Sequence, residues 1–227
     1  VFFAGLLGVS IFGISKITVE NDIALRLGEN NPVRRDTAYF TEHFAGTNVL
    51  DLYLQSEKDG GLLEPKAFEA IVELEKKLVN ELTEVDSASS FATILTEFYR
   101  RLPGNKDLPV NRFTINLGIR EFERRDPEGL AFLLNAARQR MRVFVRLNVA
   151  GLRETHRAGE KVARLAAEHL EGLPLKAKPT GMAYLIGGWL DRIILAQKKG
   201  VGISFIVISL LMIIAFRSLR AGLWSMI

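Results

Sequence analysis

The sequence contains no cysteine, and this absence excludes several kinds of site at once. Among 227 residues there is no thiol to form a disulfide, to attack a substrate or to bind a metal as thiolate. Without disulfides the compartment must be inferred from hydropathy and charge.

Histidine is also scarce, and no pattern typical of a catalytic or nucleotide-binding site is present. The three histidines, His43, His156 and His169, fall on predicted helices and lack the spacing of a zinc-binding helix. The segment Gly200-Val201-Gly202 lacks the third glycine of a dinucleotide fingerprint, and no phosphate-binding loop of the Walker type occurs. We therefore predict no metal, no cofactor and no enzymatic activity.

Long blocks of like charge are missing as well. The net charge is +4, but acidic and basic residues alternate along the chain, so we predict no nucleic-acid binding. One local cluster has two interpretations: it could contact anionic lipid head groups, or it could be a solvated strand face with ordinary partners, which we favour. Its members are Arg138, Arg140, Arg142 and Arg146.

Charge is absent from two apolar segments. Residues 200–216 are apolar on every side and would form a helix of roughly 26 Å, close to the thickness of a bilayer core. A buried helix of a soluble protein is rarely apolar all round, so this pattern predicts a membrane span. Residues 1–15 lack the basic start and cleavage site of a signal peptide, which indicates the end of another span.

These segments predict the domain organisation. We assign 1–15 to the end of a first transmembrane helix, 16–195 to an extracytoplasmic domain, 196–216 to a second transmembrane helix, and 217–227 to a cytoplasmic turn and the start of a third. The chain begins without methionine and stops within an apolar run, so we expect a longer, multi-pass protein of the inner (plasma) membrane.

Residues typical of a membrane interface flank the predicted second span. Trp189 suits an aromatic belt, and Lys198 and Lys199 can extend to lipid head groups. Arg217 and Arg220 lie in the short loop that the positive-inside rule places in the cytoplasm.

The region between the spans reads as an α+β domain. Alternating apolar residues predict strands at 49–55 and 141–149, each followed by an amphipathic helix, one from Pro65 and one over 153–170, and then by a shorter strand, 84–88 and 173–178. This repeated order predicts a duplicated βαβ fold of the split βαβ, ferredoxin-like kind, with helices on one face of a sheet. We predict a helical insertion at about 90–140, although alternation near 110–122 would also permit a strand.

Several short motifs, taken in their order along the chain, resemble a known group of membrane proteins. The motifs are 17–22 (ITVEND), Asn31-Pro32, 42–46 (EHFAG), 179–184 (PTGMAY) and 216–222 (FRSLRAG). On these motifs the chain is similar to the resistance-nodulation-division (RND) superfamily, and within it to the MMPL-like exporters of hydrophobic and amphiphilic molecules.

This resemblance implies an exporter driven by the proton-motive force, with two similar halves and a porter domain between the first two helices of each. It implies as partners the membrane lipids, a hydrophobic or amphiphilic substrate, the remaining transmembrane helices and further copies in a dimer or trimer. The apolar segments 1–15 and 200–216 contain no ionisable residue, so a proton relay would lie in other helices.

The insertion supplies aromatic side chains suited to a substrate path, although plain core packing is an alternative for each. Our candidates are Phe91, Phe98, Phe113 and Phe122. The function expected is export of lipids, sterol-like molecules or other amphiphiles. The alternative is a non-transporting sensor or protein-translocation accessory of the same architecture.

Overall fold

The computed structural model describes residues 27–44, 48–101, 111–149 and 151–220. These residues fall into two units, one ending at Gly188 and the other beginning at Trp189. The predicted end of a first span, 1–15, and the predicted start of a third span, 221–227, lie outside the described residues.

Seven α-helices occur in the described part of the chain. They are α1 (Pro32–Phe44), α2 (Pro65–Glu81), α3 (Phe91–Arg100), α4 (Arg112–Arg125), α5 (Pro127–Leu133), α6 (Leu152–His169) and α7 (Met182–Phe216), and a 3₁₀ turn covers Gly61–Leu63.

Four strands form one sheet: β1 (Asn48–Ser56), β2 (Val85–Ser89), β3 (Arg140–Leu147) and β4 (Leu175–Thr180). Their order is β2-β3-β1-β4, and all neighbours are antiparallel. Since β1 and β2 are both antiparallel to β3, they run in the same direction, and β3 and β4 run together in the other. Helix α2 connects β1 to β2, and α6 connects β3 to β4. The unit is an α+β domain.

The core lies between one face of this sheet and the helices. Leu50, Leu52 and Leu54 of β1 stand opposite Val145, Val143 and Met141 of β3, and all six are fully or almost fully buried. Phe68 and Ile71 of α2 and Val162 and Ala166 of α6 belong to the same buried cluster. The alternating apolar side chains of the strands and the helically spaced apolar side chains of α2 and α6 therefore pack together in one apolar layer.

Local signals explain where the helices begin. Pro65 is the first residue of α2, where a missing N–H is harmless. Asn111 caps α4 in a reciprocal capping box with Thr114, and Asp126 caps α5 by accepting from the amide of Gly129. These caps make the region after residue 110 helical, so the strand that alternation permitted there is wrong.

Helix α7 contains the whole predicted span 196–216. Among the described residues it is the one helix that is long and apolar enough to cross a membrane. Its first turns pack closely on α6: a Cβ on Gly187 would lie 2.1 Å from the carbonyl oxygen of Leu152, and one on Gly188 would meet the ring of His156. Glycine at these positions therefore permits the close approach of α6 and α7.

Candidate functional site

Three of the four phenylalanines predicted for a substrate path lie together between α3 and α4. The ring of Phe122 is edge-on to Phe91 at 5.5 Å and to Phe98 at 6.2 Å between centroids. Phe91 is fully buried, and Phe98 and Phe122 are half-buried against the core. Phe113 lies apart with 75% of its surface exposed.

Small and polar contacts hold α3 against α4 around these rings. Gly118 leaves room for Leu95, because a Cβ there would come within 2.1 Å of its side chain. The hydroxyl of Tyr99 donates to the carbonyl of Thr114 at 2.9 Å. The clustered rings thus help to pack the helical insertion on the sheet, while Phe113 faces solvent with Leu117 one turn further along α4.

The opposite side of α3 borders a groove of about 280 Å³, which we call the α2–α3 groove. Val72 and Val79 of α2 and Ala88 of β2 give it apolar surface. The polar residues that line it are Glu75, Lys76, Asn80, Thr93, Thr96, Glu97 and Arg100.

Glu75 is the unusual residue of this groove, because its side chain is 97% buried (3% exposed). Thr93 donates its hydroxyl to Oε2, but Oε1 is buried and has no hydrogen-bond partner among the described residues. Burial raises the pKa of Glu75 from 4.5 to about 7, and the polar groups of the nearby Ser90 partly oppose that rise without making a hydrogen bond to Oε1. A carboxyl group that changes charge near neutral pH is a candidate functional group.

The sequence pattern of α2 contained evidence that Glu75 is buried, although the sequence analysis did not identify it. Ile71, Glu75 and Leu78 follow one another at i, i+4 and i+7, so the acid interrupts the apolar stripe of α2. The neighbouring acids Glu69 and Glu73 lie on the exposed side of the same helix. An acidic residue in register with core positions is the pattern that would have identified it.

The arginine cluster on and just before β3 has partners within the domain at Arg142 and Arg138. Arg142 makes a bidentate ion pair with Asp51, at 3.0 Å from Nε to Oδ1 and 2.8 Å from Nη2 to Oδ2. Its guanidinium also lies over the rings of Phe132 and Phe144, at 4.3 and 4.9 Å from their centroids. Arg138 pairs with Glu123 at 3.4 Å. These contacts favour ordinary partners over a lipid head-group site for those two residues.

The three histidines each contact a backbone carbonyl. His43 lies 2.9 Å from the oxygen of Tyr39, His156 lies 3.2 Å from that of Tyr184, and His169 lies 3.0 Å from that of Ala70. They are far apart in the chain and occupy α1 and the two ends of α6, so each serves local packing.

The predicted membrane-interface residues lie on or just after α7. Trp189 is 61% exposed, and Lys198 and Lys199 are exposed in the same helix. Arg217 follows the last helical residue with a positive φ of 48°, and Arg220 is also exposed. Lys199 and Arg217 therefore bracket the uncharged segment 200–216 of the helix.

The model of the MMPL family matches residues 27–227 of the chain. The motif at 17–22 precedes the matched region, whereas the motifs at 31–32, 42–46, 179–184 and 216–222 lie inside it. No curated protein matches the chain.

Proposed function

The chain belongs to the MMPL family of RND-type transporters, and from this premise we propose that it moves lipids or other hydrophobic or amphiphilic molecules out across the inner membrane. In this proposal residues 16–195 form an extracytoplasmic porter domain that contributes to the substrate path. The domain has no enzymatic role and acts by binding and by changing shape. The match over 27–227 is the observation that carries the proposal.

The arrangement of the sheet supports a porter built from two related units. Each strand-helix-strand unit, β1-α2-β2 and β3-α6-β4, places one strand between the two strands of the other unit. We interpret these units as a duplicated βαβ fold of the ferredoxin-like kind. The α3–α5 segment is then an insertion between the two copies.

The continuity of α7 supports a mechanical link between domain and membrane. The first turns of α7 contact α6 through Gly187 and Gly188, and the same helix continues into the uncharged segment 200–216. Because packed helices transmit displacement, tilting of the membrane segment would move α6 together with the strands it joins. We propose that this movement opens and closes the substrate path.

The energy source and the assembly follow the family. Segment 200–216 contains no ionisable side chain, so we propose a proton relay in other transmembrane helices of the same protein. We also propose a dimer or trimer in the membrane, with lipid head groups around Trp189, Lys198 and Lys199.

A first experiment tests the topology. The 227 residues contain no cysteine, so a cysteine introduced here is the one labelling site within them, and the protein without the substitution gives the background. An impermeant maleimide should label Glu73→Cys in intact cells and should label Ser218→Cys only after the membrane is opened. Both positions are exposed in the structure. Labelling in the opposite order would refute an extracytoplasmic domain.

A second experiment tests transport and the substrate path. The full protein should co-purify with lipid identifiable by mass spectrometry and should move that lipid in proteoliposomes only when a proton gradient is applied. Phe113→Ala should lower this rate without lowering stability, because Phe113 is largely exposed. Phe132→Ala, at another exposed phenylalanine, is the control for the transport rate and should leave it unchanged, although it removes the ring contacts with Arg142 and Phe144. Protein without bound lipid and without gradient-dependent movement would instead favour the sensor or translocation accessory.

A further inference from the structure

The α2–α3 groove has the features of a binding site that is separate from the aromatic cluster. Helix α3 separates the groove from the aromatic cluster. Its residues Phe91 and Leu95 face the core, whereas Thr93, Thr96 and Arg100 line the groove. Thr96 satisfies its own hydroxyl by donating to the carbonyl of Ala92 at 2.8 Å. The carboxyl of Glu75 is the one buried polar group lining this groove that keeps an unpaired oxygen among the described residues.

An unpaired buried oxygen is costly, and native proteins usually pair such groups with protein, water or ligand. Oε2 of Glu75 already accepts from Thr93, so a ligand group would bind Oε1. The terminal torsion of a glutamate is soft, so the carboxyl group can reorient when a ligand binds. We propose that the α2–α3 groove binds a neutral, hydroxyl-bearing amphiphile, whose hydroxyl pairs with Glu75 and whose hydrocarbon lies along Val72 and Val79.

The surrounding charges favour a neutral ligand head. Lys76 and Arg100 line the groove and would repel an ammonium group, while Glu97 is already engaged by Arg100 at 2.9 Å and Arg101 at 3.1 Å. An anionic head would meet the carboxylate of Glu75 whenever that group is ionised. A hydroxyl carries no charge to bury, and it can donate to a carboxylate or accept from a carboxylic acid. It therefore fits Glu75 in both protonation states.

The size of the groove limits the ligand to one short chain. An apolar cavity of about 150 Å³ holds benzene, and this groove measures about 280 Å³. In proportion to benzene it has room for about eleven carbons, so it would hold one end of a larger amphiphile or a small alcohol. The inference that such an amphiphile is also cargo rests on the proposed function; the binding itself does not.

The test uses the full protein in lipid nanodiscs and a photoreactive diazirine analogue of 1-octanol as the probe. Cross-linked peptides are mapped by mass spectrometry, and labelling is competed with 1-octanol or with octyl methyl ether, which cannot donate a hydrogen bond. We expect adducts in 65–81 and 91–100, and competition by the alcohol at a concentration about 10-fold lower than the ether requires.

Three variants complete the design. Glu75→Met should lower groove labelling about 10-fold, whereas Glu75→Gln, which retains a donor and an acceptor, should stay within about 3-fold of the original protein. Glu73→Gln, on the exposed side of the same helix, should leave labelling unchanged. Circular dichroism checks that each variant is folded; if Glu75→Met does not fold, the comparison of alcohol with ether decides.

Each outcome supports or overturns the site. Equal labelling in the folded Glu75→Met variant, equal competition by alcohol and ether, or adducts only outside the groove would overturn it. Lipid export without groove labelling would refute the binding site and leave the proposed transport function intact. Groove labelling in a protein that moves no lipid would support the binding site and refute the proposed transport function.

Discussion

Replacing Glu75 by glutamine should change how the stability of the domain depends on pH. The substitution keeps the size of the side chain and removes its charge. In the folded protein burial holds the pKa of Glu75 at about 7, against 4.5 in an unfolded chain. Folding therefore favours the protonated acid, and glutamine imitates that neutral form.

The sign of the effect follows from the number of protons bound in each state. Below about pH 4.5 Glu75 is neutral in both the folded and the unfolded state, so its burial does not lower the free energy of unfolding through charge. Between about pH 4.5 and 7 the unfolded chain loses this proton before the folded one does, so the free energy of unfolding falls as pH rises. Above about pH 7 both states are ionised, and the cost stays constant.

The magnitude can be worked from the same values. At about 1.4 kcal/mol for each pKa unit, the rise from 4.5 to about 7 corresponds to about 3 kcal/mol. Because Glu75 is only 3% exposed, solvent screens this cost little. For a domain of this size the value corresponds to roughly 6 to 12 °C in Tm.

The assay is thermal unfolding of the full chain in detergent, followed by circular dichroism at intervals from pH 4.5 to 8. The Tm of Glu75→Gln minus that of the original protein should increase by roughly 6 to 12 °C over this range. For Glu73→Gln, an exposed acid on the same helix, the corresponding difference should stay nearly constant. A Tm difference for Glu75→Gln that is flat or decreases as pH rises would refute the reasoning.

Three further predictions concern packing, an ion pair and a helix cap. Gly187→Ala should lower stability by about 1–3 kcal/mol, since the new Cβ would lie 2.1 Å from a backbone carbonyl oxygen. Gly200→Ala is the control and should leave stability unchanged, because a Cβ there has no atom within 4 Å. Equal Tm values for the two variants would contradict the close contact between α6 and α7. Arg142→Lys should lower the free energy of unfolding by about 1–2 kcal/mol, because lysine cannot make the bidentate ion pair with Asp51 or the ring contacts. Arg146→Lys should leave the free energy of unfolding unchanged when both variants are measured by denaturant titration. Asp126→Ala should cost about 1 kcal/mol by removing the cap of α5, and faster hydrogen exchange confined to that helix would be its signature.

Much of the fold could be predicted from local patterns. Alternation predicted β1 and β3 to within two residues of their observed ends, because one face of each strand is buried and the other is not. Pro65 marked a helix start correctly, since its fixed φ acts within one turn. Alternation near 110–122 was ambiguous, and the Asn111 cap makes it a helix.

The candidate site depended on contacts that no local pattern contains. Phe91, Phe98 and Phe122 meet because α3 and α4 pack closely at Gly118, whereas Phe113 points to solvent from the same helix as Phe122. Glu75 is buried because Thr93 and α3 close over it, and its pKa depends on that burial. A spacing of residues shows which face of a helix a side chain occupies, but not what covers that face.

The sequence by itself determined the classes of residue and their periods: an uncharged segment at 200–216, an α+β domain before it, and motifs of the MMPL family. These features depend on neighbours within a few turns, where the energies of burial and hydrogen bonding follow from the local pattern. Only the tertiary structure decided the strand order β2-β3-β1-β4, the pairing of Arg142 with Asp51 and the desolvation of Glu75. Those properties arise between residues far apart in the chain, because the burial of one element is created by another that folds onto it.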